Sequence, residues 1–238
     1  MKLFTMRVKY IFGIFLFLFI SCKKDIKNEK TPNETGTLQD IDGNIYRTVK
    51  IGNQWWMAEN LKVKKYSDGS VLKEISITGN DTIWEKSTEG AYCSIESRYG
   101  LLYNWNAVSN SKKIAPNGWH IPSDEEWKTL EKTLGMSDNE ANGLAWRGSN
   151  QGLLLMKTSI EWVNPTEIYT SSEGFNAIPS GCRVFNGSIN NQSNTAFFWT
   201  STEKNNQAWY RYIDSQQKGV YRQYTYKNYG FSIRCIKD

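Results

Sequence analysis

The residues best suited to chemistry lie together in Gly118–Gly135, GWHIPSDEEWKTLEKTLG. His120 is the single histidine of the chain, and Asp124, Glu125 and Glu126 follow it. An imidazole near carboxylates can move protons, and two carboxylates can divide the roles of general acid and base. No Ser or Cys in a recognisable nucleophile elbow accompanies the histidine, however. The acids also have a sufficient structural role. Ser123 and Glu126 have the spacing of a capping box, and Asp124, Glu125 and Glu126 complement the positive end of a helix dipole. His120 stands between Trp119 and Ile121, both core-type residues, so a structural histidine is expected. No catalytic residue is assigned.

Metal and thiol chemistry are equally thin. The cysteines are Cys22, Cys93, Cys182 and Cys235, with no Cys-x-x-Cys pair, and one histidine cannot complete a zinc set. Asp138-Asn139-Glu140 reads as the solvated start of a helix rather than an ion site. No metal and no cofactor are expected. In an oxidising compartment Cys93, Cys182 and Cys235 allow three pairings, each leaving one thiol over.

The most suggestive surface chemistry is in the C-terminal third. Tyr210, Tyr212, Arg222, Tyr224 and Tyr226 combine flat apolar faces with polar or charged ends. Such rings stack on sugars, and they also make cross-strand pairs that hold sheets together. Alternate strand residues share a face, so Tyr210 and Tyr212 point together, as do Arg222, Tyr224 and Tyr226. The expectation is that two such rows on adjacent strands form a stacking surface, with Trp209 on the core side.

The elements that must position these groups are mostly short strands. Asn44–Ile51 and Gln54–Met57 follow the turn signals Asp42-Gly43 and Gly52-Asn53. Residues 73–90 show no strong period, and a short helix is expected within Gly100–Ala107. The capped helix after Ser123 carries Trp127, Leu130 and Leu134 on one apolar stripe and ends at Gly135, with Lys128, Thr129, Glu131 and Lys132 pointing elsewhere. Trp119 and Trp127 are both expected to be buried. A second short helix is expected with Ser137 as its cap and Glu140 three residues on. Phe197–Ser201, Ala208–Ile213, Gly219–Thr225 and Gly230–Ile236 read as an antiparallel meander. The class is α+β, with short antiparallel strands and few helices, in one domain from residue 37 to 238.

The N-terminus is different. Residues 1–21 have a basic start and then an apolar run, Tyr10–Ile20, that is too short for a bilayer span of about 20 residues and fits a signal peptide. Phe19-Ile20-Ser21-Cys22 resembles a lipobox, which makes Cys22 the expected site of lipidation with palmitate-type acyl chains. Residues 22–36 are polar and read as a flexible tether. The expected location is a lipid-anchored protein of a bacterial outer membrane, facing the surface or the periplasm. The formal charge of +5 falls to +2 once Lys2, Arg7 and Lys9 are set aside with the signal, so nucleic acid is not an expected partner.

Several segments together carry a family resemblance. They are Val49–Leu61 (VKIGNQWWMAENL), Tyr99–Trp105 (YGLLYNW), Pro116–Ser123 (PNGWHIPS), Phe198–Glu203 (FWTSTE) and Gly230–Cys235 (GFSIRC), after Asp42–Tyr46 (DGNIY). The chain resembles the Fibrobacter succinogenes major paralogous (FISUMP) domain family of bacterial lipoproteins. That resemblance implies a C-type-lectin-like fold related to formylglycine-generating enzymes. It also implies a final strand tied back by a disulfide, with Cys235 in the bridge and Cys93 ahead of Cys182 as its partner. The paired thiols of a copper-dependent oxidase are not evident, and the Glu-Pro-Asn and Trp-Asn-Asp motifs of calcium lectins are absent. The expected function is a non-catalytic binding or adhesion module for glycan or protein. An enzyme of unidentified class on the related fold is the alternative.

Overall fold

The computed structural model describes residues 32–78, 82–157, 162–163, 165 and 174–238. The expected signal segment, Cys22 and the expected tether as far as Thr31 lie outside the described residues. Strands β1 (Thr35–Gln39), β2 (Ile45–Ile51) and β3 (Gln54–Met57) come first, then β4 (Lys73–Glu74), helix α1 (Thr82–Glu85) and β5 (Ala91–Ser94). Strand β6 (Leu101–Asn104) runs into α2 (Trp105–Val108), and β7 (Trp119–His120) into α3 (Asp124–Thr133). Next come α4 (Asp138–Asn142), β8 (Ala145–Arg147) and α5 (Gln151–Leu155). The last third holds β9 (Cys182–Arg183), β10 (Ile189–Asn190), β11 (Thr195–Lys204), β12 (Gln207–Asp214), β13 (Val220–Tyr226), β14 (Gly230–Phe231) and β15 (Ile236–Lys237).

These strands build three sheets, in the orders β1-β2-β3-β15-β7, β10-β9-β14-β6-β5-β4 and β11-β12-β13-β8. Helices are few and short, so the class is α+β. Ordered pairing begins at Thr35, opposite Val49, and Glu34 both accepts from the Lys50 N–H and pairs with the Lys50 side chain. The end of the polar stretch, Thr35 and Gly36, is thus used in an edge strand.

Helix α3 forms where its local signals place it. Ser123 Oγ accepts from the Glu126 N–H, and the Glu126 carboxylate accepts from the Ser123 N–H. Gly135 takes a φ of +97°, the left-handed stop that glycine makes cheaply. The same capping box recurs at Ser137 and Glu140 of α4. Trp127 is fully buried against Trp56, Phe175 and Phe198, with ring centroids 5.1, 5.6 and 5.6 Å away. Trp119, by contrast, is only half-buried, since β7 lies at the edge of its sheet.

Strands β11, β12 and β13 make the expected meander, but the strand expected over Gly230–Ile236 is divided. Gly230–Phe231 joins the second sheet beside β6, and Ile236 joins the first sheet between Trp56 and His120. Arg234 lies between the two pieces with its side chain buried. Its guanidinium donates to Asn60 Oδ1 and to the carbonyls of Met57, Phe175 and Asn176. A buried guanidinium needs several acceptors, and here they come from the end of β3 and from loops rather than from one ladder.

Candidate functional site

The acids after Ser123 are taken up in structure. Asp124 is 4 % exposed and accepts from Arg211 Nη1 at 2.8 Å, Arg222 Nε at 2.9 Å and Arg222 Nη2 at 2.6 Å. Glu131 is 0 % exposed and accepts from both terminal nitrogens of Arg147, at 2.7 and 2.8 Å, and from Arg211 Nε at 2.7 Å. Burial alone would raise the Asp124 pKa, but the hydrogen bond to Arg222 and the charge of Arg211 hold it well below the usual carboxylate range. Carboxylates buried in this way and bound to arginine are not turned toward a substrate. They fasten α3 to β8, β12 and β13. Sequence reasoning does not single out Arg147, and it places Glu131 away from the core. A signal is nevertheless present: Asp124, Lys128 and Glu131 recur at helical spacing as a second, charged stripe beside the apolar one.

His120 is also committed. Its Nδ1 lies 2.7 Å from Asp238 Oδ1 and its Nε2 2.7 Å from Glu126 Oε1, with the side chain 41 % exposed. It is thus a structural pin at the sheet edge rather than the core histidine suggested by its neighbours. Burial opposes protonation of the ring, but the hydrogen bonds to Asp238 and Glu126 outweigh it, and the pKa lies above its ordinary value. Both ring nitrogens are thus occupied by carboxylates, and neither is turned toward a substrate.

The expected disulfide is not formed: Cys93, Cys182 and Cys235 are all buried, and no bridge joins them. Tyr92 packs in the largest core cluster, together with Cys235, while Cys93 packs in a separate cluster with Ile75, Trp84, Ala91 and Leu102. Adjacent strand residues face opposite ways, so Cys93 points away from the core that holds Cys235. Burial pushes the Cys182 thiol up to about 12 and raises that of Cys235 further. Among the described residues, no group of three or more His, Cys, Asp and Glu side chains is arranged to hold a metal ion.

The tyrosine rows do not form one surface. In the β12–β13 register Tyr210 lies opposite Gln223 and Tyr212 opposite Tyr221, whereas Trp209 faces Tyr224 and Arg211 faces Arg222. Tyr210 and Tyr212 therefore occupy one face of the sheet, and Arg222, Tyr224 and Tyr226 the other. Tyr210 and Tyr212 pack against Phe197, and Tyr210 also against Phe231. Burial raises the pKa of both phenols, that of Tyr212 to about 12. Arg222 is buried on Asp124, with its guanidinium 3.8 Å from the Trp209 ring, and Lys204 covers Tyr224 at 4.5 Å. Tyr226 alone of the five projects, with 64 % of its surface exposed.

Tyr226 lines a depression of about 450 Å³ with Phe185, Lys227, Asn228, Asn106 and Ser87. Phe185 is 47 % exposed, and among the described residues Phe185 and Tyr226 are the aromatic members of the exposed large hydrophobic set. Both rings sit on fastened turns. Phe185 caps the β9–β10 turn, where Arg183 donates to the Gly187 carbonyl and stacks 4.2 Å from Trp84. Trp84 Nε1 donates to the Asn228 carbonyl at 2.7 Å in the β13–β14 turn, which carries Tyr226 at its start. Gly230 allows this close approach, since a Cβ there would lie 2.8 Å from Trp84 and 2.9 Å from Arg183. Lys227 is neutralised by Glu203 at 2.5 Å and lies over Trp105. The depression therefore presents two exposed aromatic rings, with amide and hydroxyl groups and the Glu203-paired Lys227 at its sides. Sequence reasoning misses Phe185 because an isolated aromatic in a turn carries no periodic signal.

The Fibrobacter succinogenes major domain model matches residues 49–237. No curated protein and no solved structure matches the chain.

Proposed function

The chain belongs to the Fibrobacter succinogenes major domain family, and from that premise we propose that it is a non-catalytic carbohydrate-binding module. The observation that carries the reading is the pair of exposed rings, Phe185 and Tyr226, lining one depression with Asn106 and Asn228. The C–H face of a pyranose is apolar and its hydroxyls are polar, so aromatic floors edged by amides suit it. Each stacking contact is worth roughly 0.5–1.5 kcal/mol. The dispersal of the carboxylates into arginine pairs and of His120 into a double ion pair leaves these groups no acid–base role and supports binding over catalysis. The return of the last strand between β3 and β7 accords with a C-type-lectin-like arrangement, which we include in the proposal. So too do we include lipidation of Cys22, which would hold the domain at an outer membrane on a polar tether.

The test is a glycan array probed with the purified protein and with the Phe185→Ala/Tyr226→Ala variant. The reading predicts binding to neutral glycans that the double variant loses while keeping its melting temperature. Glycan binding that persists in a folded double variant would overturn the placement of the site, and an array with no bound glycan would overturn the function.

A further inference from the structure

We infer that the ligand is an extended neutral oligosaccharide chain rather than a single sugar, running from the aromatic depression into a second, polar one beside it. The inference rests on the carbohydrate reading above and names the shape and charge of its ligand. Asn106 of α2 lines both depressions, and the wall continues from Ser87 on one side to Thr88 and Glu89 on the other. The second depression measures about 580 Å³. Each volume falls within the range of about 300–1,000 Å³ typical of ligand sites. A ligand of one or two rings is accommodated by one of them, and only a chain uses both.

The two halves differ in the way a sugar chain requires. The first offers aromatic faces. The second offers Ser109, Asn110, Ser111 and Thr88, groups that exchange hydrogen bonds with hydroxyls. Its charges cancel locally: Lys73 Nζ lies 3.8 Å from Glu89, and Lys112 Nζ lies 3.4 Å from Asp68 and donates to Ser70 Oγ. Each lysine here already has a carboxylate partner, which favours a neutral chain over an acidic one. Fastening of both walls supports preorganisation. Asn104 Oδ1 accepts from the N–H groups of Ala91 and Ala107, and Asn106 Nδ2 donates to the Ser87 carbonyl, so α2 is tied to the segment before β5.

The experiment measures affinity of the full-length protein for linear neutral gluco-, xylo-, manno- and galacto-oligosaccharides of one to six units. Ser109 is exposed at the end of α2, and Ser109→Trp fills the polar depression without reaching the core; Ser111→Trp does the same from the next exposed position. For whichever series binds, the six-unit chain should bind about tenfold or more tighter than the two-unit one. Either tryptophan variant should remove that gain and leave short-chain affinity unchanged, whereas Phe185→Ala should weaken both lengths. Equal affinity for two and six units overturns the inference and leaves the carbohydrate reading standing. A length dependence untouched by both folded tryptophan variants also overturns it, since the chain would then run elsewhere. Absence of binding at every length overturns the carbohydrate reading together with the inference.

Discussion

Replacing Asp124 with asparagine tests whether the acids after Ser123 act as helix-end charges or as the centre of a buried ion network. As a helix-end charge, Asp124 contributes only about 0.3–1 kcal/mol. In the structure it is buried and accepts three charge-assisted bonds, from Arg211 at 2.8 Å and from Arg222 at 2.9 and 2.6 Å. The substituted amide keeps one acceptor oxygen, turns an N–H donor toward a guanidinium, and leaves buried positive charge uncompensated. Breaking a buried pair in this way costs about 3–5 kcal/mol. For a domain of this size that is a fall in Tm of roughly 6–20 °C. Urea denaturation followed by tryptophan fluorescence measures it. The pH dependence has a definite sign. The folded-state pKa of Asp124 is depressed, so its stabilisation is present above the unfolded carboxylate value and is lost as pH falls through the folded value. The wild-type and Asp124→Asn stability curves should therefore converge in acid, below about pH 4. Combination with Arg222→Met should recover part of the loss, with a coupling of about 0.5–3 kcal/mol. A loss under about 1 kcal/mol for Asp124→Asn, with no coupling to Arg222, would refute the network and restore the helix-end reading.

Three further outcomes are expected. Trp127→Ala should cost about 3–5 kcal/mol because it empties a site among Trp56, Phe175 and Phe198, whereas Ser123→Ala should cost about 1 kcal/mol; denaturant melts that reverse the order would contradict the packing. The raised pKa of His120 means that its contribution is complete below the unfolded value near 6.5 and is lost as pH rises through the folded value. A melting-temperature profile should show this step in the wild type and lack it in His120→Gln, and identical profiles would remove the double ion pair. Cys182 and Cys235 should resist a thiol reagent at pH 8 in the native state and react on unfolding, and peptide mapping that found either in a disulfide would contradict their buried thiol state.

What was legible in the sequence was local. The capping boxes at Ser123 and Ser137, the stop at Gly135 and the β11–β13 meander depend on neighbouring residues and turn chemistry, and each formed where its residues placed it. What was not legible depended on register and on distant partners. Tyr210 and Arg222 lie on opposite faces, and strand alternation fixes faces within a strand but says nothing of the offset between strands. The division of Gly230–Ile236 follows from acceptors that loops far along the chain supply to Arg234. Of the expected surface only Tyr226 reached the cleft, and its partner Phe185 comes from a hairpin some 40 residues earlier, a juxtaposition no linear pattern announces.

The central claim is that Phe185 and Tyr226 form the floor on which a sugar ring stacks. The most direct measurement is an NMR titration of protein labelled in its Phe and Tyr rings, with a neutral oligosaccharide chosen from the array. Stacking predicts shifts in the Phe185 and Tyr226 ring resonances, assigned by their loss in Phe185→Ala and Tyr226→Ala, together with upfield shifts of the sugar ring protons. Shifts confined to Tyr210 and Tyr212, or a bound oligosaccharide that leaves the Phe185 and Tyr226 rings unmoved, would contradict it.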